Sequence, residues 1–237
     1  MFHGKDGLGD ASDIPQPDEN LLKEEHAVDV LVHVVKENPG EVTLVAIGPL
    51  TNLALACQMD AAFRTNVKKV VIMGGNIEAR GNVSVCSESN FYFDPEAAFI
   101  VLDEYCCPIE LLTWEICLRH PLDQEFVSQY TNQKTPKGQF LKKISSSSVE
   151  FHLENASKTG FPVDYVTCDP FAVAVAIQPD IVLKEEKVFA TVELQGKNTR
   201  GQMVIDWREI LGEKLNVSIP VVIDMAKFKD LLIQSVQ

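Results

Sequence analysis

The run Val70-Val71-Ile72-Met73 constrains the fold more than any other stretch, being apolar, mostly β-branched and free of polar alternation, as in a parallel strand covered on both faces. Gly74 and Gly75 end it. Downstream, Asp94-Pro95-Glu96 carries the signals of a helix start: a capping side chain, a proline whose missing N–H would have no partner there anyway, and an acid near the positive end of the helix dipole. Between the two lie about eighteen polar loop residues, against the roughly two to six usual for such a connection. Loops of that length are usually functional or disordered, and this one holds Asn82, Glu88 and Asn90. In an open α/β sheet it would emerge at the carboxyl ends of the strands, where ligands bind.

The same unit repeats along the chain. A loop rich in glycine and proline occupies the first twenty residues, and a helical apolar stripe spans residues 21–37. A buried strand at 42–47 leads through Gly48-Pro49-Leu50-Thr51-Asn52 into a helix that Pro49 can begin. That pentapeptide is either a tight strand-to-helix turn or a turn whose carbonyls face a ligand. A helix at 95–105, a strand at 109–113, a helix from Asp169-Pro170 that is apolar on every side, and a strand at 217–223 continue the alternation. Asp224 caps a closing helix. This order predicts an α/β fold with an open, mostly parallel, doubly wound (Rossmann-like) sheet and right-handed crossovers. The polar stretch 121–160 reads as a helical cap or lid. Segments 187–194 and 202–207, flanking Gly196-Lys197-Asn198, read as an antiparallel hairpin appended to the sheet.

At 237 residues the chain suits one large α/β domain spanning 1–237. Its net charge of −13 argues against a nucleic-acid surface, which needs clustered Lys and Arg, and suits small neutral substrates or metal cations. The six cysteines show no Cys-x-x-Cys spacing and read as reduced, mostly core residues. With no apolar leader and no run of about 18 apolar residues, neither a secreted nor a membrane protein is expected, and the cytoplasm is the expected location. Without a leader the Asn-x-Ser sequons at Asn82, Asn155 and Asn216 carry no weight.

Glu88 and Asn90 sit two apart, so in an extended segment both would point the same way, one accepting and the other both donating and accepting hydrogen bonds. Such a pair suits vicinal hydroxyls, and the alternative is a solvated loop. Asp169 can cap its helix and can equally offer a carboxylate to a metal at the mouth of the crevice. Cys168 beside it reads as a buried small residue or as a thiol biased toward thiolate by the helix N-terminus. His3 is the only histidine in a glycine-rich loop. The acids from Asp6 to Asp10 lack the twelve-residue pattern of an EF-hand.

Seven motifs occur in order: residues 3–9 (His-Gly-Lys-Asp-Gly-Leu-Gly), 48–52 (Gly-Pro-Leu-Thr-Asn), 73–75 (Met-Gly-Gly), 81–84 (Gly-Asn-Val-Ser), 88–90 (Glu-Ser-Asn), 94–98 (Asp-Pro-Glu-Ala-Ala) and 168–170 (Cys-Asp-Pro). Together they resemble the inosine-uridine preferring nucleoside hydrolases over almost the whole chain. The resemblance implies hydrolysis of the N-glycosidic bond of purine or pyrimidine ribonucleosides to ribose and free base, with a bound Ca²⁺ that templates the ribose hydroxyls and activates water. It implies that Asn82, Glu88 and Asn90 bind the ribose with Met73 packed beneath it. The carboxylate of Asp169 and the carbonyl of Ile47 would be calcium ligands. His3 would line the base side, and Cys168 stands where many members place a histidine that protonates the leaving base. Other implications are a ribonucleoside as the partner, with no nucleic acid or membrane, and a homodimer or homotetramer.

Members of the family begin with a strand and an Asp-rich loop that supplies most calcium ligands and the general base. No such motif stands in this sequence. The first strand units, about two βαβ repeats of roughly 30 residues each, are therefore expected to be absent and the calcium site incomplete, because Ca²⁺ takes six to eight oxygens. Two hypotheses stay open: a nucleoside hydrolase, impaired in this chain, or a non-catalytic relative that has lost the metal site. A dinucleotide-binding domain fits poorly, since Gly74-Gly75 lacks the Gly-x-Gly-x-x-Gly spacing.

Overall fold

The structure is a computed structural model that describes residues 4–11, 13–15, 17–159 and 164–237. Its contacts sort into two compact units. The unit formed by Lys23–Ile116 and Cys168–Ile223 carries the sheet. Its first helix, α1 (Ala27–Glu37), starts later than the apolar stripe suggested, because Glu19–Leu21 is a separate 3-10 turn and the His26 side chain caps α1 by accepting the Val28 N–H. Next come β1 (Thr43–Ala46), α2 (Thr51–Met59), α3 (Phe63–Asn66) and β2 (Lys69–Met73). Helix α2 begins at Thr51 and not at Pro49, with Leu50 buried at its cap position.

After β2 come α4 (Ser89–Phe93), α5 (Pro95–Glu104), β3 (Ile109–Leu112) and α6 (Trp114–Arg119). The start signal for α5 holds, with the Asp94 carboxylate accepting the Ala97 N–H and Pro95 in the first turn. The chain then forms α7 (Gln124–Thr131), α8 (Pro136–Thr159), α9 (Asp169–Ile177), β4 (Val182–Val188), β5 (Ala190–Val192), β6 (Met203–Ile205), β7 (Val217–Ile223) and α10 (Met225–Ser235).

The main sheet has the order β1-β2-β3-β7-β4, with every neighbouring pair parallel except β4 against β7. This is the mostly parallel α/β sheet read from the strand–helix alternation. Val70, Val71 and Ile72 are fully buried, as an unalternated apolar run requires, and α9 packs across β2, β1 and β3 through Phe171, Ala172, Ala174 and Val175. The hairpin forms from shorter pieces than expected, β5 with β6, because Val188 belongs to β4. Strand β4 was missed in the sequence because it reads Val-Leu-Lys-Glu-Glu-Lys-Val. At one edge of the sheet it exposes its charges and pairs them, Lys184 with Glu186 and Lys187 with Glu185, which keeps an open edge from templating other strands.

The other unit comprises Met1–Leu22, Cys117–Thr167 and Asp224–Gln237. Over its described residues, up to 159, the polar stretch carries two helices there, α7 and α8. Asp224 caps α10, and Lys229 of α10 reaches the Asp123 carboxylate at 2.5 Å while lying over the Phe126 ring. Among the described residues no helix is long and apolar enough to cross a membrane. The six cysteines are free; Cys57, Cys86 and Cys117 are buried, Cys107 and Cys168 half-buried, and Cys106 exposed.

Candidate active site

Strand register builds the site. Ala46 lies opposite Ile72, so Ile47, one residue past β1, comes level with Met73 at the end of β2. Ile47 is half-exposed and Met73 is buried. Gly74 and Gly75 continue the chain where nothing larger fits: a Cβ on Gly74 would stand 2.9 Å from the Phe91 ring, and one on Gly75, at φ +67°, would stand 2.9 Å from the Met203 sulfur.

Glu88 and Asn90 do not lie on an extended segment. Glu88 is the N-cap of α4 and Asn90 lies in its first turn, so the long loop ends at Glu88. The Glu88 carboxylate is 1% exposed and accepts three backbone N–H groups, Gly75 at 2.9 Å, Asn90 at 2.9 Å and Phe91 at 3.2 Å. It thereby ties the end of β2 to the start of α4. A carboxylate has about four acceptor positions, and three are used. Burial pushes its pKa above the ordinary value, the three N–H donors pull it back, and the nearby negative charge of Asp169 adds to the upward push.

Asn90 anchors through its amide nitrogen, which donates to the Met73 carbonyl at 3.0 Å and touches the Met73 sulfur at 3.5 Å. No described residue donates to its Oδ1. Asn82 is exposed, yet its N–H bonds to the Ser87 carbonyl at 3.3 Å, which folds the loop back until Asn82 stands beside the residue that precedes Glu88.

Asp169 occupies the first turn of α9 and not its cap; the cap position is Cys168, whose side chain makes no capping bond. The structure therefore gathers Ile47, Met73, Glu88 and Asn90 at the carboxyl ends of β1 and β2, with the Asp169 charge within electrostatic reach of Glu88. His3 lies outside the described residues.

Three groups escaped the sequence reading. Glu115, 2% exposed, accepts the N–H groups of Ile77 and Glu78, both at 2.9 Å, and so holds the outgoing limb of the long loop. Asn76, fully buried, donates to the Cys86 carbonyl at 2.8 Å, and its Oδ1 is buried without a partner. The tip of the β5–β6 hairpin accepts from Cys86 and Ser87. A signal for Glu115 did exist: an acid that follows an apolar strand after two residues, as in Leu-Leu-Thr-Trp-Glu, lies at the carboxyl end of the sheet.

The sequence profile described as inosine-uridine preferring nucleoside hydrolase matches residues 1–230. The chain belongs to the inosine-uridine preferring nucleoside hydrolase family. Among curated relatives, probable uridine nucleosidase 2 of Arabidopsis thaliana is 36% identical over 204 residues, covering 85% of this chain and 60% of the relative. The pyrimidine-specific ribonucleoside hydrolase RihA of Salmonella paratyphi B is 30% identical over 235 residues, covering 99% and 73%. A solved inosine-guanosine nucleoside hydrolase superposes with a TM-score of 0.88 at 30% identity, covering 99% of this chain and 74% of that one. The chain spans 56% to 60% of the length of the plant uridine nucleosidases it matches.

Members of the nucleoside hydrolase family are in general metal-dependent. Among the described residues no group of three or more His, Cys, Asp or Glu side chains is arranged to hold a metal ion. Glu88 has spent three of its acceptor positions on backbone, and the Asn90 amide nitrogen is a donor to Met73. The Asp169 carboxylate with the Ile47 carbonyl falls short of the six to eight oxygens that Ca²⁺ takes. These residues by themselves do not fit the ion.

Proposed function

We propose that this chain, as one nucleoside-hydrolase-like domain, acts in the hydrolysis of the N-glycosidic bond of purine or pyrimidine ribonucleosides to ribose and free base. The observation that supports the reading best is the gathering of Met73, Glu88 and Asn90 at the ends of β1 and β2 in a chain of this family. In this reading the ribose lies over Met73, a hydroxyl donates to Asn90 Oδ1, and another takes the remaining acceptor position of Glu88. Asn82 closes from the loop. His3 lines the base side, and Cys168, at the mouth of α9, faces the leaving base. The carboxylates of Glu88 and Asp169 set a negative field where positive charge develops on the sugar, which stabilises an oxocarbenium-like transition state. Asp169 and the Ile47 carbonyl are proposed as this chain's share of a Ca²⁺ site, and no chemical step is assigned to the ion. A cytoplasmic, homo-oligomeric protein that acts on small nucleosides, without nucleic-acid or membrane partners, belongs to the same reading.

One observation favours the second reading, a nucleoside-binding relative without turnover: the donor set does not fit Ca²⁺, while the acceptors for a ribose remain. Ribose release from inosine and from uridine separates the two when measured beside nucleoside binding by calorimetry. Release that Asn90→Ala abolishes supports hydrolysis. Binding without release supports the second reading, and neither binding nor release overturns both.

A further inference from the structure

We propose that the tip of the β5–β6 hairpin, residues 198–201, is a positioning element for the nucleoside-binding loop, holding Cys86 and Ser87 and through them Asn82 and Glu88. The proposal rests on the nucleoside reading above for its consequence, though the contact itself is a matter of geometry. The Cys86 thiol donates to the Asn198 carbonyl at 2.8 Å, and the Ser87 hydroxyl donates to the Arg200 carbonyl at 2.8 Å. Cys86 is 7% exposed and Ser87 fully buried, so with the tip in place both donors are satisfied by its carbonyls in a site that water barely reaches. Ser87 accepts the Asn82 N–H through its own carbonyl and is joined directly to Glu88. Two side chains thus connect the hairpin to both ribose-facing limbs of the loop.

The tip is tied down by bonds of its own and by one to α5. Arg200 donates to the Leu194 carbonyl at 2.6 Å and to the Glu96 carboxylate at 2.7 Å, and the Gly201 N–H bonds to the Glu193 carbonyl at 2.7 Å. Gly201, at φ +82°, passes so close to α4 that a Cβ there would lie 3.0 Å from the Tyr92 Cα. The hairpin therefore presses on the helix that carries Asn90 as well as on the loop that carries Asn82. Its acceptors at residues 198 and 200 are carbonyls, so the latch takes its donors from the side chains at 86 and 87 and its acceptors from a backbone conformation that the Arg200 side chain helps to hold.

The test compares the parent chain with Cys86→Ala/Ser87→Ala, which removes both donors, and with Cys86→Ser, which keeps a donor in place. Amide hydrogen exchange over residues 82–93 and calorimetric affinity for inosine and uridine are the readouts, with the unfolding temperature as control. The double variant is expected to exchange about tenfold faster over 82–93 and to bind nucleoside about tenfold more weakly, the loss expected for two hydrogen bonds of ordinary net worth, while β5 and β6 stay protected. Cys86→Ser should stay near the parent. Should the double variant fail to fold, Arg200→Ala, at an exposed side chain, loosens the tip and is expected to raise exchange over 82–93 in the same direction. Unchanged exchange in the loop, or exchange that rises equally across the whole sheet, overturns the latch. Parent protein that binds no nucleoside overturns the functional reading, while exchange still decides the latch.

Discussion

The Glu88 carboxylate accepts N–H groups from residues on both sides of the long loop, Gly75 beyond β2 and Asn90 and Phe91 in α4, at 1% exposure. As the side chain of a solvated loop it would contribute little to stability. As a buried cap it contributes a great deal, because its loss removes an N-cap, about 1 kcal/mol, and strands a buried N–H at a further 1–3 kcal/mol or so. Glu88→Ala is therefore expected to lower the unfolding free energy by about 2–4 kcal/mol in urea titration and to weaken nucleoside binding. A variant as stable as the parent would show that the three bonds carry no weight. Since burial raises the Glu88 pKa, the folded chain holds that proton more readily than the unfolded one, so the group's stabilisation is full below the ordinary value of 4.5 and is lost as pH rises through the folded value. The stability gap between parent and Glu88→Gln should accordingly narrow as pH rises from 4.5. Sequence spacing singled out the pair Glu88 and Asn90, but not that one amide group would be divided, with Asn90 Nδ2 committed to Met73 and Oδ1 without a described donor. That division depends on α4, which spacing alone does not reveal.

At the scale of elements, legibility followed burial on both sides. Strand β2 and helix α9 were readable because an unbroken apolar run has no other stable place in a soluble domain, and α5 because Asp94-Pro95 states its own start. Helix α4 was not: Ser-Asn-Phe-Tyr-Phe has no helical period, and its cap is a glutamate instead of the Ser, Thr, Asp or Asn that usually signals one. Strand β4 was hidden by its charges. The loop between β2 and α4 is bonded within itself and also to elements distant in sequence, the hairpin on the return limb and Glu115 on the outgoing one. Glu115→Gln preserves shape but turns an amide N–H₂ toward one of the two N–H groups that the carboxylate now accepts. It should cost about 1–3 kcal/mol and raise hydrogen exchange at Ile77 and Glu78 first. Equal protection at those two amides in variant and parent would show that the loop orders itself without the carboxylate.

For the molecule as a whole, family membership and donor set point to different responses to calcium. The fold and the motif order are those of a family that is in general metal-dependent, whereas the ligands assigned to this chain are one carboxylate, Asp169, and one carbonyl, Ile47. A net charge of −13 attracts divalent cations weakly and without selection, so Mg²⁺ at equal concentration is the proper control. With so few oxygens the dissociation constant is expected near the millimolar range. One millimolar Ca²⁺ would then add only RT ln 2, about 0.4 kcal/mol, which for a chain of this length is a rise in unfolding temperature of no more than about 2 °C. The expected outcome for the 237-residue chain is a difference of that size or smaller between Ca²⁺ and chelator, equal to the Mg²⁺ control, with ribose release from inosine and uridine that chelator does not change. A calcium-specific rise above about 5 °C corresponds to more than 1 kcal/mol of linkage and needs a site with several further oxygens. Asp6 and Asp10, whose carboxylates now accept backbone N–H groups within residues 5–10, would be the first to examine, since turning them toward an ion would break those bonds and show as a change in exchange at Leu8 and Asp10. Such a rise, together with chelator-sensitive turnover, would overturn the account of an incomplete metal site.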